Sequence, residues 1–370
     1  MSSCAPDWAR PIRCCINLEA LRHNYALARS CALRIRKSAQ VWAVVKADAY
    51  GHGLCRVASA LTGLADGFAL VERAGAQQLR ESGISAPLLM LEGFYRAGDV
   101  EFDAHWGLTP VIHHVEQLDW LEAVRLPAPL PVYLKINTGM NRLGFAPTTL
   151  PDVIKRLRAC AQVGPITLMT HFADADGPSG VQAQLDVFHS ATADFALPSS
   201  LANSAALLRY PQTVTDWVRP GIMLYGSSPY PDRESASGLG LRPVMTLRSE
   251  LIGVEDIDAG QTVGYGRTFC APSPMRVGVV ACGYADGYPR HAPTGTPVLV
   301  AGQRTRTLGR VSMDKVSVDL SPISDAHCGS PVTLWGEGLD VDEVAAACAT
   351  ISYELLCAVS ARVPVVEMPL

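Results

Sequence analysis

A lysine closes the apolar run V-W-A-V-V at residues 41–45, and the chain then turns polar and glycine-rich through A-D-A-Y-G-H-G. A partly desolvated lysine loses some of its preference for the charged form, and a neutral amine is a nucleophile for aldehydes. Lys46 is therefore a candidate for imine formation. The competing reading is a structural ammonium paired with an acid such as Asp48. Further polar groups stand where other apolar runs end. These are Lys135 and Asn137, followed by T-G-M-N-R-L-G with Arg142; His171; Asn203 and Ser204; and Arg219, with Gly221 and Ile222 just beyond. A serine hydroxyl and the N–H groups of a glycine-containing turn can hold an anion such as a phosphate. Pyridoxal 5′-phosphate is an aldehyde that carries a phosphate, and it meets both demands.

These groups need elements to bring them together. Short β-type apolar runs recur at 41–47, 67–71, 87–91, 108–112, 131–136, 165–172, 199–204 and 218–225. Helix-like stretches separate most of them, at 54–61, 72–82, 115–124, 152–160, 181–195 and 205–208. Another helix, over 18–33 with Asn17 as its cap, precedes the first run. Eight strands alternating with helices predict parallel βα units, and eight is the number that closes a TIM-type (β/α)8 barrel. An open doubly wound sheet is the alternative. Barrel enzymes carry their chemistry at the C-terminal ends of the strands, where the residues above fall. Past residue 238 the texture changes. The junction S-A-S-G-L-G-L-R-P leads into β-type runs at 244–254, 276–282, 297–300, 315–320 and 331–335, with one helix over 341–359. The expected organisation is a barrel over residues 1–238 and a mainly-β domain over 239–370.

The bulk properties exclude several classes. Acids and bases are interspersed, net charge is −4, and no basic run of five or more exists, so nucleic acid is not an expected partner. No stretch reaches the roughly 18–20 apolar residues of a membrane helix. The start, M-S-S-C-A-P-D-W-A-R-P, lacks the apolar core of a signal peptide, which predicts a cytoplasmic location. The eleven cysteines include no C-x-x-C pair and are read mostly as small buried hydrophobes. There is no H-E-x-x-H and no expected metal, and neither a Walker motif nor a G-x-G-x-x-G.

Nine segments in order carry a resemblance over essentially the whole length: V-V-K-A-D-A-Y-G-H-G (44–53), K-I-N-T-G-M-N-R-L-G (135–144), T-H-F-A-D-A-D (170–176), A-N-S-A-A (202–206), R-P-G-I-M-L-Y-G (219–226), V-G-Y-G-R-T-F (263–269), G-Y-A-D-G-Y-P-R (283–290), G-R-V-S-M-D (309–314) and I-S-Y-E-L-L (351–356). Together they resemble the alanine racemases that depend on pyridoxal phosphate. The resemblance implies a cofactor-binding barrel followed by a β domain, and an isomerase that interconverts L- and D-alanine. It implies that Lys46 carries the cofactor, and that Tyr50, Ser204, Gly221, Ile222 and Tyr353 surround its phosphate. Asn203 and His171 are implied at the cofactor, and Arg219 at the pyridine nitrogen. Lys46 and Tyr265 are the implied bases on opposite faces of the substrate carbon. Tyr265 comes from the other subunit of a homodimer, with His171 and Arg219 as a hydrogen-bond chain behind it.

Arg142, Met313 and Tyr284 are implied at the substrate. Lys135 matches a lysine that is often carbamylated, and Arg290 and Arg310 match the access path. Two residues depart from the common pattern, Ser312 for a cysteine and Asp48 for an asparagine. A decarboxylase on the same barrel and a carrier that only binds the cofactor are the competing functions. The β domain with its own tyrosine favours the racemase. The implied role is to supply D-alanine for peptidoglycan or to act in D-alanine catabolism.

Overall fold

The computed structural model describes residues 10–368. The chain opens with strand β1 (Arg13–Ile16) and helix Leu18–Ile35, whose first turn is capped as expected: Asn17 Oδ1 accepts from the N–H of Ala20 at 2.9 Å. Eight strands follow: β2 (Gln40–Val44), β3 (Gly67–Leu70), β4 (Leu88–Met90), β5 (Leu108–Ile112), β6 (Leu130–Lys135), β7 (Val163–Met169), β8 (Ser199–Ser200) and β9 (Trp217–Val218). They close into a barrel in that order, every pairing parallel, with β2 returning to β9. The open sheet is thereby excluded. Both faces of such strands are covered, which is why β2 reads V-W-A-V without polar alternation. Inside, the ring of Trp42 stacks on Trp217 at 4.3 Å, and its Nε1–H donates to the hydroxyl of Tyr133 at 2.9 Å.

The last two barrel strands are shorter than the apolar pattern suggested. Expected over 199–204, β8 ends at Ser200, because the chain leaves the ladder to start helix Ser204–Arg209. Expected over 218–225, β9 ends at Val218, and a 3₁₀ turn, Ile222–Tyr225, holds the rest. Apolarity here reports burial rather than strand length, a distinction a short apolar run does not carry.

The remaining strands are β10 (Met245–Ile257), β11 (Thr262–Val263), β12 (Phe269–Cys270), β13 (Met275–Val280), β14 (Pro297–Val300), β15 (Gln303–Leu308), β16 (Val316–Asp319), β17 (Pro331–Trp335) and β18 (Val365–Glu367). The main sheet runs β13-β16-β15-β14-β17-β10-β1-β18, and β10 also pairs with β13, so six strands return on themselves. Strand β15, Q-R-T-R-T-L, was not anticipated because its outward residues are charged. It forms a hairpin with β14 through Ala301 and Gly302. The single helix expected over 341–359 is two, Val341–Ala347 and Ser352–Ala358, with Ala349 at φ 53° between them.

The chain packs as two compact units, and the division is not one cut at residue 238. One unit gathers the described residues up to Leu21, Tyr225–Pro231 and the chain from Ser235 onward, while the other holds Arg22–Leu224 and Asp232–Glu234. The physical reason is strand pairing. β1 hydrogen-bonds antiparallel to β10 and parallel to β18, so the N-terminal segment belongs to the β unit. Among the described residues no helix is long and apolar enough to cross a membrane, and no cluster of His, Cys, Asp and Glu could hold a metal ion. All described cysteines are free thiols, and only Cys14, Cys31, Cys282 and Cys348 are buried, fewer than the sequence suggested.

Candidate functional site

Lys46 follows the end of β2 and begins the turn Lys46–Gly51. The next four residues, Ala47, Asp48, Ala49 and Tyr50, hold φ between 51° and 54°, a left-handed turn built without glycine. Such a conformation costs roughly 1–2 kcal/mol per residue and must be held by its surroundings. Asp48 Oδ1 accepts from the N–H of Leu54 at 2.6 Å, so the departure at this position serves as a clasp. His52 is buried, and its Nδ1–H donates to the carbonyls of Ala49 at 3.1 Å and Tyr50 at 2.9 Å. Burial pushes this imidazole down to about 4 against the pull of those two bonds, so it is neutral near pH 7. Neither the left-handed turn nor the part played by His52 was read from the sequence, although the histidine lies inside the motif.

The expected desolvation of Lys46 is not found, for its side chain is exposed. Its alternative pairing with Asp48 is not found either, since the carboxylate caps Leu54. The buried lysine is Lys135, at the end of β6. Burial lowers its amine to about 8; Arg219, Arg142 and Lys46 act in the same direction, and Glu92 opposes them. Neutral amine is therefore accessible at ordinary pH.

The turn directs Tyr50 to Gly221. A Cβ at Gly221 would lie 2.5 Å from the Tyr50 hydroxyl, so the close approach requires glycine. The N–H of Gly221 donates to Ser204 Oγ at 2.9 Å, and the N–H of Met223 does so at 3.4 Å. Ile222, between them, is buried. Asn203 caps helix Ser204–Arg209 by accepting from the N–H of Ala206 at 2.9 Å. A tyrosine hydroxyl, a serine hydroxyl and backbone N–H groups thus converge around a small-residue turn, a donor set that suits a phosphate ester.

Arg219 lies beside this cradle and is 4% exposed. Nη1 donates to the carbonyl and hydroxyl oxygens of Ser200, both at 2.7 Å. Nη2 donates to the carbonyls of Thr170 at 2.8 Å and Leu201 at 3.2 Å, and reaches His171 Nδ1 at 3.4 Å. Burial lowers the guanidinium only to about 10, so it remains a cation. Since arginine only donates, His171 accepts through Nδ1 and carries its hydrogen on Nε2. Burial, followed by Arg219, Lys135, Arg142 and Lys46, keeps His171 well below its ordinary value and neutral. The sequence missed the support behind it. Gln184 Nε2 donates to the His171 carbonyl at 3.1 Å and to Thr138 Oγ1 at 3.0 Å, while its Oε1 accepts from the N–H of Ala173 at 2.7 Å. No motif marks this glutamine in the first turn of helix Gln182–Thr192. Lys135, Asn137, Thr138, Arg142 and His171 line one recess.

In the β unit, Tyr265 begins the 3₁₀ turn Tyr265–Arg267 between β11 and β12 and is 71% exposed. Met313 is 53% exposed and Tyr284 39%, with the guanidinium of Arg290 6.0 Å from the Tyr284 ring centre. Arg310 passes beside Gly266. Tyr353 lies in the first turn of helix Ser352–Ala358. Its neighbour Ser352 is anchored through Ser227, whose hydroxyl donates to Asp342 Oδ1 at 2.6 Å.

A family model described as alanine racemase, N-terminal domain matches residues 16–229, and one described as alanine racemase, C-terminal domain matches residues 244–367. The chain belongs to the alanine racemase family. It is 56% identical over 364 residues to the alanine racemase of Nitrosomonas eutropha, covering 97% of this chain and 99% of that protein. It is 57% identical over 359 residues to that of Thiobacillus denitrificans, covering 97% and 96%. The crystal structure of biosynthetic alanine racemase from Pseudomonas aeruginosa superposes with a TM-score of 0.93 at 47% identity, over 97% of this chain and 100% of that one. As a member of this family, the protein is an amino-acid racemase, an isomerase.

Proposed function

We propose that this racemase interconverts L- and D-alanine with pyridoxal 5′-phosphate held at Lys46, and that two bases, Lys46 and Tyr265 of a second copy of the chain, exchange the α-hydrogen. The observation that carries the reading is the charge pattern of the barrel rim. Lys46, Lys135, Arg142 and Arg219 act electrostatically on one buried, neutral histidine beside the cradle of Ser204, Gly221 and Tyr50. Such a concentration of cations suits a ligand with a phosphate and a substrate with a carboxylate. When bound, the cofactor acidifies the α-hydrogen of an amino acid by delocalising the charge left on that carbon.

The chain's own residues do the rest. Tyr50, Ser204, the N–H groups of Gly221 and Ile222, and Tyr353 would hold the phosphate. Asn203 fixes the helix that presents Ser204. Arg219 would be the partner of the pyridine nitrogen and, because it does not give up its proton, would leave that nitrogen largely unprotonated and so restrain side reactions. Arg142 and the backbone of Met313 orient the carboxylate, and Tyr284 borders the substrate. A carbamate on Lys135, favoured by its lowered amine, would direct Arg142. Lys46 Nζ would take the hydrogen of the D-enantiomer and the deprotonated Tyr265 oxygen that of the L-enantiomer, the opposite base then delivering a proton to the other face of the carbon. His171 Nε2–H supports Tyr265. The enzyme is assigned to the cytoplasm, supplying D-alanine for peptidoglycan or consuming it.

Incubating the purified enzyme with L-alanine, L-serine and L-lysine, followed by chiral chromatography, tests the reading. D-alanine should accumulate to the equimolar point, and borohydride reduction should leave a pyridoxyl group on the peptide containing Lys46. CO2 release without racemisation would instead establish a decarboxylase.

A further inference from the structure

Asp286 has no assigned part in the reaction, yet its carboxylate accepts four hydrogen bonds. Its side chain is 0% exposed. Oδ1 accepts from Arg10 Nη1 and Arg362 Nε, both at 2.7 Å, while Oδ2 accepts from Arg10 Nη2 at 3.1 Å and from the N–H of Gly283 at 2.9 Å. All four lone-pair directions are thus used. Burial alone would raise this acid, but the bonds from Arg10, Arg362 and Gly283 outweigh it and hold it below the usual carboxylate range. The same two arginines reach a second segment. Arg362 Nη2 donates to Asp314 Oδ1 at 2.7 Å, and Arg10 Nη2 to the Asp314 carbonyl at 3.2 Å.

The two segments joined in this way carry Tyr284 and Met313. Their backbones are bonded directly, Tyr284 N–H to the Ser312 carbonyl and Ala285 N–H to the Met313 carbonyl, each at 3.0 Å. They pass so closely that a Cβ at Gly283 would lie 2.3 Å from the Met313 carbonyl oxygen. Both side chains nevertheless project outward, 39% and 53% exposed. A buried carboxylate held by two half-exposed arginines contributes little net stability compared with apolar packing, but it fixes geometry in a directional way.

We propose that Asp286, gripped by Arg10 and Arg362, is a positioning residue that holds the backbones of Tyr284 and Met313 in register for the substrate. The proposal rests on the substrate-side reading of those two residues given above. The clamp unites an arginine from before β1 with one from just before β18, so the two ends of the described chain steady one turn and one loop.

The test compares holoenzyme with Asp286→Asn, which preserves shape and removes the charge. Hydrogen exchange by mass spectrometry should rise about tenfold in peptides spanning 281–290 and 308–316, with no change across Gly67–Leu70 in the barrel. The KM for alanine should rise about tenfold in both directions, with kcat altered less than about threefold. Should Asp286→Asn fail to fold, Arg362→Lys, which keeps a cation but loses the fork, is read by the same two measures with smaller shifts in the same direction. An unchanged KM despite faster local exchange overturns the proposal, as does unchanged exchange or a rise spread through the barrel. Failure of the racemase reading would show differently, as absence of alanine racemisation by the unaltered enzyme.

Discussion

On the barrel rim Arg219, Lys135, His171 and Ser204 are packed into one another beside the exposed Lys46 and Arg142, while in the β unit Tyr265 and Met313 stand in the open. Arg219 is 4% exposed, Lys135 7% and Ser204 3%, against 71% for Tyr265 and 53% for Met313. The difference reflects two ways of preparing a group for chemistry. Burial, reinforced by neighbouring cations, sets protonation here: Lys135 falls to about 8, and His171 is held well below its ordinary value and neutral. The exposed tyrosine has no such shell in its own unit. It stands instead on the 3₁₀ turn Tyr265–Arg267. In the proposed dimer each region supplies what the other lacks.

The largest expected effects test whether each region holds one base. Lys46→Ala should lower racemisation in both directions by roughly 10^3-fold or more. Tyr265→Phe should lower exchange from L-alanine by roughly 10^2–10^4-fold, with a smaller loss of hydrogen exchange from D-alanine. Isotope exchange in deuterated water measures both, and an equal loss from the two enantiomers would break the division of labour. Mixing these two inactive chains sharpens the comparison further. Random pairing gives half heterodimers, each with one complete site, so about a quarter of wild-type activity should return. No recovery after verified subunit exchange would assign both bases to one chain.

A smaller effect concerns the cradle. Gly221→Ala drives a Cβ toward the Tyr50 hydroxyl, an overpacking of about 1–3 kcal/mol. Titrating apoenzyme with cofactor should show a dissociation constant roughly ten- to a hundredfold higher. The smallest effect concerns His52. Folding lowers its pKa from 6.5 to about 4, so between those values the unfolded chain binds more protons than the folded one. Its contribution is complete above pH 6.5 and is lost as the pH falls toward 4. His52→Asn, whose amide N–H can stand in for Nδ1–H, should reduce the acid-induced drop in melting temperature by roughly 2–6 °C.

The legible parts of the sequence were those with local physical signals. The barrel's strand count followed from buried apolar runs, and the end of β6 came within one residue, 136 expected against Lys135 observed, from the polar break after it. Helix Leu54–Leu61 was read with its observed bounds. Strand β15 escaped because Arg304 and Arg306 alternate outward, and β1 because four residues far from their partners carry no signal. In the site, Lys46, Ser204 and Arg219 could be found as polar groups near the ends of apolar runs, and Gly221 as a turn glycine just beyond. Gln184 could not, because it acts through the His171 backbone from a helix that is otherwise ordinary.

By itself, then, the sequence determined the two textures of the chain, the barrel's strand number, and which residue types stand at the strand ends. Those follow from burial patterns and turn chemistry, which are local. Tertiary structure decided which lysine is buried and which is open. It decided that four residues after Lys46 wind left-handed under the hold of His52 and Asp48, and that an N-terminal strand completes the β unit. These outcomes depend on long-range pairing and on the summed field of distant charges, which no window of sequence contains.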